Sequence, residues 1–372
     1  MKVLHVESGK HLYGGALQVC YLLKSLRTRC ENILVCPKDS DIAHYFHEDQ
    51  LANPGHEPVK VCETAIGGDL DFGFISRLKR IIAEEKPDLV HLHSRRGAEI
   101  LGVLAARSAK APVILSRRVD NPEPAWIAKR KYKLYQHVIT ISEGIRQVLI
   151  SEGVPADHIT CVPSAVDTQL YQPITTIDQD IHTLFDLPPN SKVLAIVAQL
   201  IQRKGHRYLF EALTEIIKAH PETRVVVLGK GPLEEALRTL CQEKGLAEHV
   251  HFAGFRSDLP QLLPQFYAVI HPADMEGLGV SLLQTAACEV PIVASAVGGI
   301  PEAVIDEHNG YLIDVGDINT LTNRTLRLLA DPALAKKMGQ QGRKHIEAHF
   351  SIKAMVNGNF GVYQKVVDSL KP

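Results

Sequence analysis

In the stretch MEGLGVSLLQTAAC, Met275 to Cys288, a carboxylate, Glu276, stands inside a glycine loop, and an apolar run with helical spacing begins at once. The strand-like segment AVIHPA leads into that loop, so unpaired backbone N–H groups and the positive end of a helix dipole converge on one point. Such a turn suits a phosphate or pyrophosphate, with Gly277, Leu278 and Gly279 supplying backbone that a ligand can approach; for a lone GxG, a tight turn without ligand is the plainer reading. Two more turns of this kind follow strands. VAQLIQRKGH presents Arg203 and Lys204 as a helix begins, and VVVLGKGPLEEAL carries Gly229 and Gly231. A lysine so placed neutralises a departing phosphate as a point charge, although a solvated helix start also explains it.

A second group of chemistry-bearing residues lies earlier. His91 and His93 alternate along PDLVHLHS, so both point to one face near the strand's C-terminal end, with Arg95 and Arg96 following. One of them orienting a hydroxyl, or one packed and one solvated histidine, fits equally. As metal ligands the pair is poor, because no third ligand is evident nearby. From Arg107 to Lys133 the basic residues Arg107, Lys110, Arg117, Arg118, Lys129, Arg130, Lys131 and Lys133 face only Asp120 and Glu123, and the single tryptophan, Trp126, lies among them. A basic amphipathic segment with an aromatic anchor fits an anionic membrane surface or a phosphorylated acceptor; a solvated helix face with a core tryptophan is the plainer alternative.

The elements that position these groups alternate along the whole chain. KVLHVES, NILVCP, PDLVHLHS, PVILSRR, HVITISE and HITCVP read as strands, separated by segments such as GALQVCYLLKSLR with helical spacing. This alternation implies a parallel sheet covered by helices on both faces. A polar, proline-bearing stretch from Asp167 to Asn190 interrupts it, and SKVLAIVAQL, TRVVVLGKG, HVHFAGF, YAVIHPA and PIVASAV open a second series. The expected organisation is an α/β chain of two Rossmann-like doubly wound domains facing across a cleft: 1–167, a linker at 168–190, 191–350, and a helix over 351–372. That last helix pads the second domain or crosses back to the first; periodicity does not choose.

The 372 residues suffice for two domains with substantial cores, and a formal net charge of -1 gives no global reason to expect nucleic-acid binding. Seven cysteines are scattered singly, with no CxxC pair, the pattern of reduced thiols in a cytoplasmic protein. Nowhere do about 18 consecutive apolar residues occur to span a bilayer, and the N-terminal apolar run is too short for a signal peptide. The expected localisation is therefore the cytoplasm, with peripheral attachment to the membrane's inner face if the basic segment binds lipid.

Taken together, YGGA near the first strand, VAQLIQRKG, LGKGPLEEAL, HFAGF and MEGLGVSLLQTAACEVPIVASAVGGIPEAV closely resemble family 4 glycosyltransferases, retaining enzymes of GT-B architecture that use a nucleotide-activated sugar. The resemblance implies roles. Glu276 contacts donor-sugar hydroxyls, and the backbone of Gly277, Leu278 and Gly279 lies near the diphosphate. Lys204 stabilises the leaving diphosphate, the loop of Gly14 and Gly15 closes on the phosphates, and Gly254 and Phe255 lie near the base.

The departures from the family pattern are specific. The glutamate that usually holds the ribose is Gln284, the arginine usually ahead of the lysine is Gln199, and a histidine common after PVILSRR is replaced within Ser116-Arg117-Arg118. A glutamine amide still bonds a ribose hydroxyl at a cost of about 1 kcal/mol. The Gln199 replacement matters more, because charge grows on the leaving diphosphate; Arg203 is the candidate to compensate.

The implied activity is sugar transfer, without cofactor or metal, from a nucleotide diphosphate, UDP favoured, to a hydroxyl of a glycan or glycolipid such as a lipopolysaccharide core. Glu276, Lys204 and His93 are the catalytic candidates; His91, Arg95, Arg117, Arg118, Trp126, Lys129 and Arg130 form the acceptor or membrane side. The pairs Asp39/Asp41 and Asp69/Asp71 match a DxD spacing but precede helical segments, where caps and turns explain them. The neutral Gln199 and Gln284 leave a non-catalytic nucleotide-sugar-binding subunit as the alternative. A GT-B nucleotide-sugar epimerase fits less well, and a nicotinamide dehydrogenase less again, since HLYGGA lacks a full GxGxxG.

Overall fold

The computed structural model describes every residue except 13, 94–96, 175, 177, 178 and 372. The chain divides into two compact units: Met1–Ala165 together with Ile352–Pro372, and Val166–Ser351. Residues 168–190 group with the second unit, where Ile181 and Phe185 are buried. The helix Ile352–Ser369 belongs to the first.

In the first unit, β1 (Lys2–Val6), β2 (Glu31–Pro37), β3 (Lys60–Thr64), β4 (Leu89–Leu92), β5 (Val113–Arg117), β6 (His137–Thr140) and β7 (Ile159–Cys161) form one sheet among the described residues, in the order β3-β2-β1-β4-β5-β6-β7. All its pairings are parallel. Side chains alternate between faces, which sorts the core into two layers. Val3, Leu34, Leu89 and Ile114 pack with the helices Gly14–Leu26 and Ile352–Ser369. Leu4, Val6, Ile33, Val90 and Leu115 pack with Gly73–Glu85, Glu99–Ser108 and Ala125–Tyr132. By the same alternation His5, Asn32, His91 and Ser116 fall on the first of these faces.

The second unit repeats the plan with β8 (Lys192–Val197), β9 (Thr223–Leu228), β10 (Val250–Gly254), β11 (Ala268–His271), β12 (Ile292–Ser295) and β13 (Gly310–Ile313), in the order β10-β9-β8-β11-β12-β13. Two strands escape the sequence reading, β3 and β13, and both are sheet edges. KVCET alternates without a clear apolar face, and GYLI follows an Asn-Gly turn signal.

Strand order fixes where a ligand can sit. In each sheet successive strands progress outward in opposite directions from a central pair, β1/β4 in the first unit and β8/β11 in the second. At such a reversal the loops beyond the carboxyl ends diverge and leave a crevice.

Candidate functional site

At the second unit's reversal, β8 runs on to Gln199 and then to a short turn, Gln202–Lys204; Gly205 follows with φ 70 and starts the helix His206–Ala219. A Cβ on Gly205 would lie 1.8 Å from the carbonyl oxygen of Pro272, so only glycine lets this turn press against the end of β11. The Asp274 N–H donates to the Arg203 carbonyl at 2.8 Å and ties the two loops together.

This close approach joins three side chains. The Lys204 ammonium pairs with Glu276, and His271 Nε2 donates to the same carboxylate oxygen at 3.0 Å. Burial alone would raise the Glu276 pKa, but the His271 hydrogen bond and the Lys204 charge overcome it and hold the group down at about 2. His206, 2 % exposed, lies beside them with neither ring nitrogen bonded. Burial, then the neighbouring His271 and Lys204, lower its pKa to about 4, so it is neutral at pH 7.

Beyond Glu276, Gly277, Leu278 and Gly279 are buried, and Gly279, at φ 82, opens the helix Val280–Ala287. Gln284 lies on that helix, 7 % exposed, and its amide has no hydrogen-bond partner among the described residues. Gln199, ahead of the turn, and Arg203, within it, are exposed. Gly229, at φ 155, packs where a Cβ would lie 1.9 Å from the Ala198 carbonyl oxygen, and its N–H donates to the carbonyl of Gly254 at 2.8 Å; Phe255 beyond it is 54 % exposed. The three glycine turns thus gather at the carboxyl edge around β8, β9, β10 and β11. His271 and His206 are missed from sequence because a histidine ending a strand and one opening a helix both look like packing residues.

The first unit gathers a different set at its own reversal. His5, which sequence spacing does not flag, joins His91 and His93, with one ring nitrogen of each within 4.8 Å of the others. The expectation that no third imidazole stands nearby is corrected: parallel register puts His5 of β1 beside His91 of β4. All three are buried. Asn32 donates from Nδ2 to the Cys30 carbonyl, which turns its Oδ1 toward His5 Nε2 at 3.2 Å. His5 therefore donates from Nε2 and accepts at Nδ1 from His93 Nε2, 3.0 Å away. His93 Nδ1 is left as a buried lone pair without a partner among the described residues. His91 bonds the Tyr363 hydroxyl at 2.7 Å and the Ser116 hydroxyl at 2.8 Å. Burial dominates the charge balance and holds His5 at about 3 and the other two well below the ordinary value. The spacing would suit a metal ion, but no carboxylate belongs to the trio and the Arg118 charge acts on His91 and His93, which opposes a dication there.

The cationic residues divide. Arg117 is buried with Glu99 at 3.8 Å, Glu123 at 3.5 Å and the Asn121 carbonyl at 2.7 Å, while Lys131 bridges the same two carboxylates. Arg117 and His91 are thus held by partners inside the first unit, and Arg117 also lines a cavity with His93 and Arg118. Arg118 stays at the crevice beside Gly15, and Gly14 lies exposed at the start of its helix. Trp126 is 64 % exposed, which removes the reading as a core residue; Arg130 stacks over it at 5.9 Å and Lys129 is exposed too. Arg95 lies outside the described residues. Asp71 is bonded to Gly67 N–H and Arg77, and Asp69 to Gly97 N–H, so that pair clamps loops, as its position before a helix implied.

Comparisons with known proteins agree with this layout. The family model described as "Glycosyltransferase Family 4" matches residues 13–170, and that described as "Glycosyl transferases group 1" matches 179–345. A GDP-mannose-dependent alpha-(1-6)-phosphatidylinositol monomannoside mannosyltransferase of Mycolicibacterium smegmatis is 30% identical over 287 residues, 72% of this chain and 74% of that protein. An Escherichia coli UDP-Gal:alpha-D-GlcNAc-diphosphoundecaprenol alpha-1,3-galactosyltransferase is 26% identical over 77% of this chain and 78% of that protein. Among solved structures, Anabaena Alr3699/HepE in complex with UDP superposes with a TM-score of 0.82 at 20% identity, covering 98% of this chain and 100% of that one. Both halves of the chain match the family's models, and the paired Rossmann-like units are those of its GT-B members: the chain belongs to the family 4 glycosyltransferases.

Proposed function

We propose that the chain transfers a sugar, with retention and without a metal ion, from a nucleotide diphosphate donor to a hydroxyl of an envelope glycan or glycolipid. The observation that carries this is the Lys204–Glu276–His271 cluster, in which Lys204 and His271 are buried and Glu276 is partly so, beside the glycine turn of Gly277 and Gly279. His271 fixes the carboxylate that meets the sugar hydroxyls, while Lys204 and the loop N–H groups supply the positive charge a leaving diphosphate needs. A lysine fixed before the reaction costs no reorganisation when that charge develops. The unbonded Gln284 amide, on the helix that the turn opens, is free to take a ribose hydroxyl.

We favour a UDP-sugar, in line with the UDP-Gal named for the E. coli relative; GDP-mannose is the second reading, on the name of the M. smegmatis relative. A thermal-shift screen over UDP- and GDP-sugars separates them, since a ligand at about 100 times its dissociation constant stabilises a fold by about 2.7 kcal/mol. With the stabilising donor, release of the nucleoside diphosphate should fall at least about a hundredfold in Glu276→Ala and in Lys204→Ala. Donor binding with no release in the native chain would instead make it a binding subunit.

The exposed Trp126, Lys129 and Arg130 support an acceptor presented at an anionic membrane surface. No described helix is long and apolar enough to cross a membrane, so attachment of this kind would be peripheral.

A further inference from the structure

Arg118 is a half-buried cation of the first unit that stands apart from the ion pairs of the described residues. Its Nε is sealed from solvent without a hydrogen bond, and its guanidinium has no ion-pair partner among the described residues. Burial lowers its pKa from the ordinary arginine value, and the charge of Glu7 acts the other way, yet it remains a cation at any physiological pH. Glu7 is itself engaged, accepting from the Gly9 N–H at 2.8 Å.

Three features converge on this guanidinium. A Cβ built on Gly15 would stand 3.7 Å from Arg118 Cδ, so the arginine stem runs beside the N-terminus of the helix Gly14–Leu26, which has no acidic residue in its first turn. The free N–H groups there add positive potential to the same spot. A cavity of about 30 Å³ is lined by Arg118, Arg117, Ser116 and His93, and by Glu99, whose carboxylate Lys131 pairs at 2.7 Å. His93 is 1 % exposed, and the hydrogen-bond chain through Asn32 and His5 leaves its Nδ1 as an acceptor with no donor among the described residues.

A half-buried cation and a buried lone pair lining one cavity select opposite chemistry. The cation takes an anionic oxygen, and the lone pair takes a hydroxyl proton. We propose that Arg118 binds a phosphate or carboxylate on the acceptor, while His93 Nδ1 receives a hydroxyl of the same molecule. The acceptor is therefore an anionic hydroxyl compound rather than a neutral sugar, a choice that rests on the transferase reading and adds its substrate class.

The test uses the full chain carrying Lys204→Gln and Glu276→Gln together, which removes the second unit's cation with its counter-charge. Calorimetric titration with sn-glycerol 3-phosphate, inorganic phosphate and glycerol reads the first unit's site without catalysis, so it remains informative if transfer fails. Glycerol 3-phosphate should bind more tightly than inorganic phosphate, and glycerol should not bind. Arg118→Gln should weaken both anions about tenfold or more, whereas Arg118→Lys, which keeps the charge, should recover part of the loss. His93→Phe should remove only the advantage of glycerol 3-phosphate over phosphate. Anion binding that is indifferent to Arg118→Gln, in a protein of unchanged circular dichroism, overturns the proposal. So does a result in which Arg118→Gln in the native background weakens UDP but not glycerol 3-phosphate, which would assign the guanidinium to the donor. Arg118→Lys provides the same comparison if the glutamine variant does not fold.

Discussion

Lys204 and Glu276 are each held by the other, and that reciprocity sets what either substitution does. Lys204→Ala leaves a mostly buried carboxylate beside His271 with its main counter-charge gone, so it should lower the unfolding free energy by about 2 kcal/mol. The double variant with Glu276→Ala should cost less than the sum of the singles, a coupling that urea denaturation of the four proteins of the cycle measures. The pH dependence has a definite sign. Glu276 is depressed from 4.5 to about 2, so its contribution is present above pH 4.5 and is lost as pH falls toward 2. Glu276→Gln should flatten that part of a stability-against-pH curve. His5 is a base depressed from 6.5 to about 3; its contribution is full above pH 6.5 and declines as pH drops below it, because the unfolded chain takes up the proton first. His5→Asn should remove part of the loss seen between pH 6.5 and 3. Glu276, Lys204 and the glycine turns are legible in the sequence because motif and spacing announce them. His271, His206 and His5 are not, since what gives them meaning is an approach of strand ends far apart in the chain.

At the scale of elements, the turns depend on backbone contacts that no side chain tolerates. Gly205→Ala would put a methyl group on a left-handed residue and into the Pro272 carbonyl, and Gly229→Ala would do so against Ala198. Each should cost about 3 kcal/mol or more by denaturant unfolding, and Gly205→Ala should also weaken donor binding because it parts Lys204 from Glu276. Most strands are readable from their β-branched runs, as β1, β2 and β8 are. The edges β3 and β13 are not, because an edge strand pairs on one side only and need not be apolar along its length. Direction of side chains is also beyond the sequence: Arg117 and Arg118 are neighbours, yet one is held in a buried charge network and the other has no ion-pair partner among the described residues.

For the whole molecule, the surface around Trp126 gives the prediction that is easiest to refute. Vesicles rich in anionic lipid should sediment the native chain and release it as salt rises, whereas Trp126→Ala with Lys129→Glu should stay in solution. Equal sedimentation of both proteins would discard the membrane-surface reading. The division into two α/β units is visible in the alternating pattern, but the allegiance of the last helix is not: an amphipathic helix fits either core until packing chooses. Met355, Val356, Val362, Tyr363 and Val366 complete the layer that contains Val3, Leu34 and Ile114, and Tyr363 caps the buried imidazole of His91. During translation those residues leave the ribosome after the entire second unit has been made. The first unit to emerge is thus the last to close its core, with one face of its sheet only partly covered, by Gly14–Leu26, for as long as roughly 186 residues take to be synthesised, about 10–40 s. A nascent chain stalled before residue 352 should therefore hold a protease-resistant second unit and a first unit that is still cleaved.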